Sequence, residues 1–232
     1  MVTGSSLYSV EEAIDALRQG RFVLLHDGKD REDEVDMLVA AQFVTPRHIA
    51  TMRRDAGGLI CLALGHDTAS RLGLLYMHDL LMLALDGKLR DVVSAHSPYG
   101  DRPSFSITIN HRDTYTGITD RDRALTISGM ARVVERLSRG EDGVAEFIAS
   151  FRSPGHVPLL IAAKNLMRER RGHTEMAIYL AEKAGLIPAV AICEMLDSST
   201  HTALSFEKAR RYAERHGLCI LDASMLAAER VE

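Results

Sequence analysis

The stretch Phe22–Gln42, "FVLLHDGKDREDEVDMLVAAQ", sets two short apolar runs on either side of a dense block of charge. "FVLLHD" and "DMLVAAQ" each have the length and continuity of a buried strand, so the charged block lies on a strand-to-strand loop and its edges. The acids Asp27, Asp30, Glu32, Asp33, Glu34 and Asp36, offset by Lys29 and Arg31, leave a charge of -4, which equals the formal charge of the whole chain. Like charges repel, so the loop is expected to be extended and mobile without a cation. Hard oxygen donors favour Mg²⁺ or Mn²⁺ over softer metals. A calcium EF-hand is excluded, because the sixth position from Asp27 is Glu32 rather than Gly and the twelfth is Leu38 rather than Glu. Charge alone favours a solvated turn over a site.

Elements continue outward from this pair of strands. Upstream, Ser9 with Glu12 forms a capping-box pattern ahead of "VEEAIDALRQG", which predicts a helix from about Ser9 to Gln19 that ends at Gly20. Downstream, Thr45 and Pro46 suit the start of a helix through "RHIATMRRDA", Gly57 and Gly58 stop it, and "LICLAL" follows as a strand. "GHDTASRLGL" predicts a short helix, and "HSPYGDRPSFSITIN" an irregular turn with an alternating strand around Phe105, Ile107 and Ile109. Thr119 or Asp120 can cap a helix over "RDRALTISGMARVV", and "SPGHVPLLIA" reads as a turn into a strand. In "HTEMAIYLAEKAGL" the residues Ala177, Leu180, Ala181 and Ala184 share one helix face; "PAVAICEML" is a buried strand and "FEKARRYAERHG" a charged surface helix. The expected class is α/β (α+β), a single three-layer domain over residues 1–232 with a mixed twisted sheet between helices.

Composition narrows the function. The 232 residues are 46% hydrophobic and 26% charged, in the globular range. A net charge of -4 with dispersed basic residues, no tryptophan and few aromatics disfavours a nucleic-acid partner. Cys61, Cys193 and Cys219 are odd in number and lie in apolar surroundings, which suits a reducing compartment. No signal peptide or long apolar run is visible, so a cytoplasmic protein without a membrane partner is expected.

Several residues elsewhere are candidates for chemistry. "RRGHTE" places Arg170, His173 and Thr174 at a helix start, where free N–H groups and the dipole favour an anion and Arg offers a planar fork to phosphate. His173 can also ligate a divalent ion. The plainer reading is a capped helix with surface arginines. Glu194, closing the run "AVAIC", is either solvent-facing or an acid tuned by burial, and His156 is most simply a hydrogen-bonding turn residue. Cys61 reads as a core cysteine.

Together these segments resemble the 3,4-dihydroxy-2-butanone 4-phosphate synthase family of riboflavin biosynthesis. The resemblance rests on "DGKDREDEVDMLVAA", "RRDAGGLICLAL", "HRDTYTGITDRDRALTI", "SPGHVPLLIA" and "RRGHTEMAIYLAEKAGLIPAVAICEML", in the family's order from about Ser9 to Asp222. "DAGGLIC" and "HSPYGDRPSFSI" are similar to the archaeal branch, and Val35 stands where the common bacterial form has Gly. The resemblance implies conversion of D-ribulose 5-phosphate to L-3,4-dihydroxy-2-butanone 4-phosphate and formate, with Mg²⁺ (or Mn²⁺), two ions per site, and no organic cofactor. It implies Glu32 and His173 as metal ligands. Arg31, Glu32, Asp36, Cys61, Thr116, Arg170, Arg171, Gly172, His173, Thr174 and Glu194 are implied at the substrate. His156, Glu194, Glu32 and Asp36 are the implied catalytic groups. A homodimer with shared active sites is implied as well. The single-function form is expected, since no closely spaced cysteine cluster suits the zinc of a fused GTP cyclohydrolase II domain.

The residue types match what that chemistry asks for. Removing a proton beside a ketone needs a base, and the enediolate needs a cation and donors to hold its charge. Loss of a hydroxyl, skeletal rearrangement and expulsion of C4 as formate need further proton transfers. Two other readings remain open on the sequence: another Mg²⁺-dependent sugar-phosphate isomerase or lyase, and a nucleotide- or RNA-binding module.

Overall fold

The Ser9 hydroxyl accepts from the Glu12 amide while the Glu12 carboxylate accepts from the Ser9 amide, and this reciprocal cap starts helix α1, Val10–Arg18. The structure is a computed structural model and describes residues 9–94 and 100–228. Strands β1, Val23–His26, and β2, Val35–Ala40, pair antiparallel around the acidic stretch, with His26 opposite Val35. Thr45 caps α2, Pro46–Thr51, which widens over Met52–Ala56 and stops at Gly57 with φ 90°. Next come β3, Cys61–Leu64, and α3, His66–Arg71, followed by α4, Met77–Ala84, and α5, Leu89–Ser94. Then follow β4, Phe105–His111, α6, Asp120–Ser138, capped by Thr119, α7, Gly143–Ser150, and β5, Phe151–Ile161. The chain proceeds through α8, His173–Lys183, and β6, Ala189–Glu194, to a small ribbon of β7, Leu196–Asp197, and β8, Thr202–Ala203. It continues with α9, Phe206–His216, β9, Cys219–Asp222, and α10, Ala223–Ala228.

The strands form a seven-stranded mixed sheet in the order β4-β5-β3-β6-β2-β1-β9. Pairs β5–β3 and β1–β9 are parallel and the others antiparallel. Side chains alternate across a strand, so each strand feeds two cores. Leu24, Met37, Val39, Leu62 and Val157 pack with Ile127, Met130 and Val134 of α6, with Ile49 of α2, and with Ala209 and Ala213 of α9. On the other face Leu25, Leu38, Cys61 and Val190 pack with Leu17 of α1 and with Ala177, Leu180 and Ala181 of α8. Helices therefore cover both faces, as the expected three-layer mixed-sheet class requires. Among the described residues no helix is long and apolar enough to cross a membrane.

Three sequence expectations are corrected. "SPGHVPLL" is not a turn before a strand: residues 153–156 lie inside β5. Register shifts in the β4–β5 ladder split the apolar residues of β4, so Phe105 packs on the α8 face while Ile107 and Ile109 pack on the α6 face. The acidic stretch is compact rather than extended, closed by the Asp27 amide donating to the Glu34 carbonyl at 3.3 Å. Helices α4, α5, α7 and α10 were not anticipated, and α4 gives a reason: none of its residues is buried, so its leucines carry no periodic trace of a core. The part of the irregular turn at residues 96–99 lies outside the described residues.

Gly155 sits where β5 crosses β4 so closely that a Cβ would overlap the backbone of Ile109 and Asn110. Backbone cannot swing away as a side chain can. Gly155→Ala should cost about 2–3 kcal/mol, read by urea denaturation, as expected of overpacking without relief.

Candidate functional site

The β2–β6 register places Asp36 directly opposite Glu194. Both belong to the face that carries Leu38 and Ile192, beneath the N-terminus of α8. Opposed like charges on neighbouring strands are unfavourable, so this end of an otherwise apolar ladder calls for a cation or protons. A cavity of about 410 Å³ opens there. It brings together Arg31, Glu32, Asp36, Cys61, Arg170, His173, Thr174 and Glu194 from the sequence-derived set. Glu34 also lines it.

Hydrogen bonds orient the donors. The His173 Nε2 lies 3.3 Å from the Glu34 carbonyl oxygen, which can only accept, so the ring proton belongs on Nε2. Nδ1 then faces the acids, 3.8 Å from both Glu32 Oε2 and Asp36 Oδ2, where it carries a proton unless a cation takes its place. That spacing leaves room for an ion rather than a direct bond. Asp36 is 2% exposed, and its Oδ1 has no hydrogen-bond partner among the described residues. Ligand atoms of Asp27, Glu32 and His173 all lie within 4.8 Å of one another. An unsatisfied buried carboxylate oxygen, a second carboxylate and a histidine fixed in the right tautomer together fit a hard divalent cation. Glu194 is held from the side, its Oε2 accepting from the Leu59 amide at 2.7 Å.

Electrostatics agree with the geometry. Burial pushes the Asp36 carboxyl up to about 7 despite the opposing pull of His173. Burial would lower His173, but Asp36, Glu32 and Asp27 outweigh it and raise the imidazolium to about 9. Burial, with Glu32 and Glu194, also raises Glu34. The Cys61 thiol is driven well above its ordinary range by burial and by Glu194, so Cys61 is a neutral wall of the cavity and not a nucleophile.

Three structural carboxylates, Asp27, Glu175 and Asp101, and the backbone carbonyl of Glu34 escaped the sequence analysis in these roles. Asp27 accepts from the Glu32 and Glu34 amides, each at 3.1 Å, and faces Arg31 Nε at 3.5 Å. It shapes the loop from inside. Glu175 is 0% exposed and accepts from the Ala163 amide, the Gly172 amide and Arg170 Nη1. A Cβ on Gly172 would overlap the Arg170 guanidinium, so the glycine is there for that clamp. Asp101 accepts from Arg31 Nη1 at 2.5 Å and lies 3.6 Å from Arg170 Nε, tying the two arginines at the cavity mouth. Glu34 supplies the carbonyl that sets His173. The "RRGHTE" spacing could have pointed to Glu175, which stands at the third helical position after the cap Gly172.

Other expected site residues stand elsewhere in the chain. Arg171 lines a separate cavity with His26 and Phe206. His156 is exposed on β5, where its amide donates to Asn110 Oδ1 at 2.8 Å and its Nδ1 meets Asn110 Nδ2 at 3.1 Å. Thr116 joins the same cluster through its carbonyl, 3.4 Å from Asn110 Nδ2. Neither His156 nor Thr116 lines the acidic cavity.

Comparison with known proteins places this arrangement. A profile of the 3,4-dihydroxy-2-butanone 4-phosphate synthase family matches residues 11–229. The 3,4-dihydroxy-2-butanone 4-phosphate synthase of Archaeoglobus fulgidus is 49% identical over 215 residues, covering 91% of this chain and 90% of its own length. That of Methanothermobacter thermautotrophicus is 44% identical over 229 residues, covering 96% of each. Among solved structures, a 3,4-dihydroxy-2-butanone 4-phosphate synthase in complex with two magnesium ions is 28% identical with a TM-score of 0.78, over 96% of each chain.

At the candidate metal group of Asp27, Glu32 and His173, protons would compete with a divalent ion for His173 Nδ1. With His173 raised to about 9, affinity should climb as pH rises toward that value and fall as pH drops. Mn²⁺ titrations followed by electron paramagnetic resonance from about pH 6.5 to about pH 8.5 should show affinity rising by up to about tenfold per pH unit. Affinity that does not change with pH would remove His173 from the ligand set.

Proposed function

Because the chain belongs to the 3,4-dihydroxy-2-butanone 4-phosphate synthase family, we propose that its acidic cavity is where D-ribulose 5-phosphate becomes L-3,4-dihydroxy-2-butanone 4-phosphate and formate. The carrying observation is the convergence of Glu32, Asp36 and His173 Nδ1 beside Arg170 and the start of α8. Glu32 and His173 hold Mg²⁺, two ions per site in this reading, which is supported by a relative solved in complex with two magnesium ions. Bound Mg²⁺ supplies a Lewis acid and a template for the ketone end of the substrate.

The chain's own groups do the rest. Arg170, fixed by Glu175, and the N-terminus of α8 at Thr174 take the phosphate. Arg31, Gly172 and Cys61 shape the space around it, and Asp101 yields its two arginines to the incoming anion. Asp36, buried against Glu194 and facing His173, exchanges a proton with the carbon skeleton beside the ketone. Glu194 serves the later proton transfers, after loss of the C1 hydroxyl and during rearrangement. The walls of Phe105, Leu160 and Ile192 limit water around the reactive species.

His156 and Thr116 act across a homodimer interface, each completing the cavity of the other copy, and Arg171 lies at its rim. Support comes from their exposure on the outer hairpin and from the strand that carries them. His156 stands four positions before Leu160 of the cavity wall on β5, about 13 Å along a strand. Residues 1–232 are read as one domain, and the three buried free cysteines suit the cytoplasm.

The purified protein incubated with ribulose 5-phosphate and Mg²⁺ should release formate, seen by NMR, and a chelator should abolish it. A different product without formate would point to another sugar-phosphate isomerase or lyase. Glu32→Gln and His156→Ala should each be inactive alone. Mixed after reversible dissociation, they should recover about one quarter of wild-type turnover, since half the dimers are mixed and each has one intact site. No recovery would place His156 in the same copy's cavity as Glu32, and a His156→Ala protein active alone would take His156 out of the reaction.

A further inference from the structure

His26 ends β1 immediately before the acidic loop, and its ring is buried at 4% exposure. Each ring nitrogen meets a carboxylate oxygen. Nδ1 lies 2.7 Å from Asp222 Oδ2, and Nε2 lies 3.0 Å from Asp33 Oδ1. Asp222 ends β9, which pairs in parallel with β1, and its other oxygen is occupied by the amide and hydroxyl of Ser224. The ring also packs on Phe206 of α9, with centroids 4.9 Å apart. Behind His26 there is thus a rigid sheet edge, and in front of it a single loop residue.

That residue is turned by the backbone to meet it. Asp33 has φ 54°, a left-handed conformation that aspartate tolerates better than most residues. Its neighbours Glu32 and Glu34 line the cavity, whereas Asp33 faces the opposite way, toward His26. The Glu34 carbonyl next to it sets the His173 tautomer. We propose that Asp33 and His26, backed by Asp222, form a latch that positions Glu32 and Glu34 over the cavity and so strengthens its hold on a divalent cation. His26 and Asp33 are positioning residues here; neither touches substrate. The inference rests on the acidic cavity being the metal site.

Asp33 is the clean probe, because its side chain is 59% exposed and its removal disturbs no core. Asp33→Ala should weaken Mn²⁺ binding, measured by electron paramagnetic resonance, by about tenfold, the scale of lost support behind a ligand. The melting temperature should stay within the spread of repeats, and amide exchange across residues 28–34 should quicken. Asp33→Asn keeps an oxygen for Nε2 and should restore most of the affinity. His26→Leu should match Asp33→Ala in Mn²⁺ affinity, and the double variant should be no weaker than either single one. Unchanged exchange across the loop in Asp33→Ala, or additive losses in the double variant, would overturn the latch. The underlying site is tested apart from it: a Glu32→Gln protein with wild-type Mn²⁺ affinity removes the cavity as the metal site, while the exchange data still decide whether the latch holds the loop.

Discussion

Two carboxylates, Asp36 and Glu194, face each other across adjacent antiparallel strands whose remaining partners are apolar. That pairing is costly in isolation, and much of the surrounding structure answers it. The loop between β1 and β2 adds further acids instead of relieving the charge, and α8 brings His173 and the positive end of its dipole against them. The backbone at Leu59 gives Glu194 a donor, but Asp36 Oδ1 is given none among the described residues. A site of this kind concentrates demand for a divalent ion in one place. The sheet supplies rigidity, because β1, β2 and β3 are buried at every residue and β6 at all but its last, Glu194.

The division between the cavity and the Asn110–Thr116–His156 cluster follows from the length of β5. One strand spans both the outer hairpin and the cavity wall, so its ends cannot approach each other. The proposed pairing of two copies of the chain would bring residues from both ends into one functional set. The same topology accounts for Gly155, since the close crossing of β4 and β5 presents His156 on a surface held firmly from behind.

Legibility in the sequence tracked how locally each feature is encoded. Caps at Ser9, Thr45 and Thr119 and the stop at Gly57 depend on side chains within three residues, and all were readable. The sheet class was readable because β1, β2, β3 and β6 are continuous apolar runs. Helix α4 was not, since a helix that buries nothing writes no period into its sequence. In the site, Glu32, Asp36, His173 and Glu194 were found through motif and family, and they do converge. Asp27, Glu175 and Asp101 were missed in their roles because their partners are backbone amides or arginines that only the fold brings near, as with Ala163 and Glu175. The β4 alternation misled for a related reason: a register shift moves residues between faces without altering the pattern of letters.

The clamp of Arg170, Gly172 and Glu175 bears on how such a protein can change over generations. Glu175 is sealed from solvent and spends its oxygens on three donors, and Gly172 is bare because the guanidinium lies where its side chain would be. A larger residue at 172 displaces the arginine, and a neutral one at 175 leaves it held by Asp101 alone among these acids. Each single step away loosens the seat of the arginine, so the three positions are expected to change together rather than one at a time.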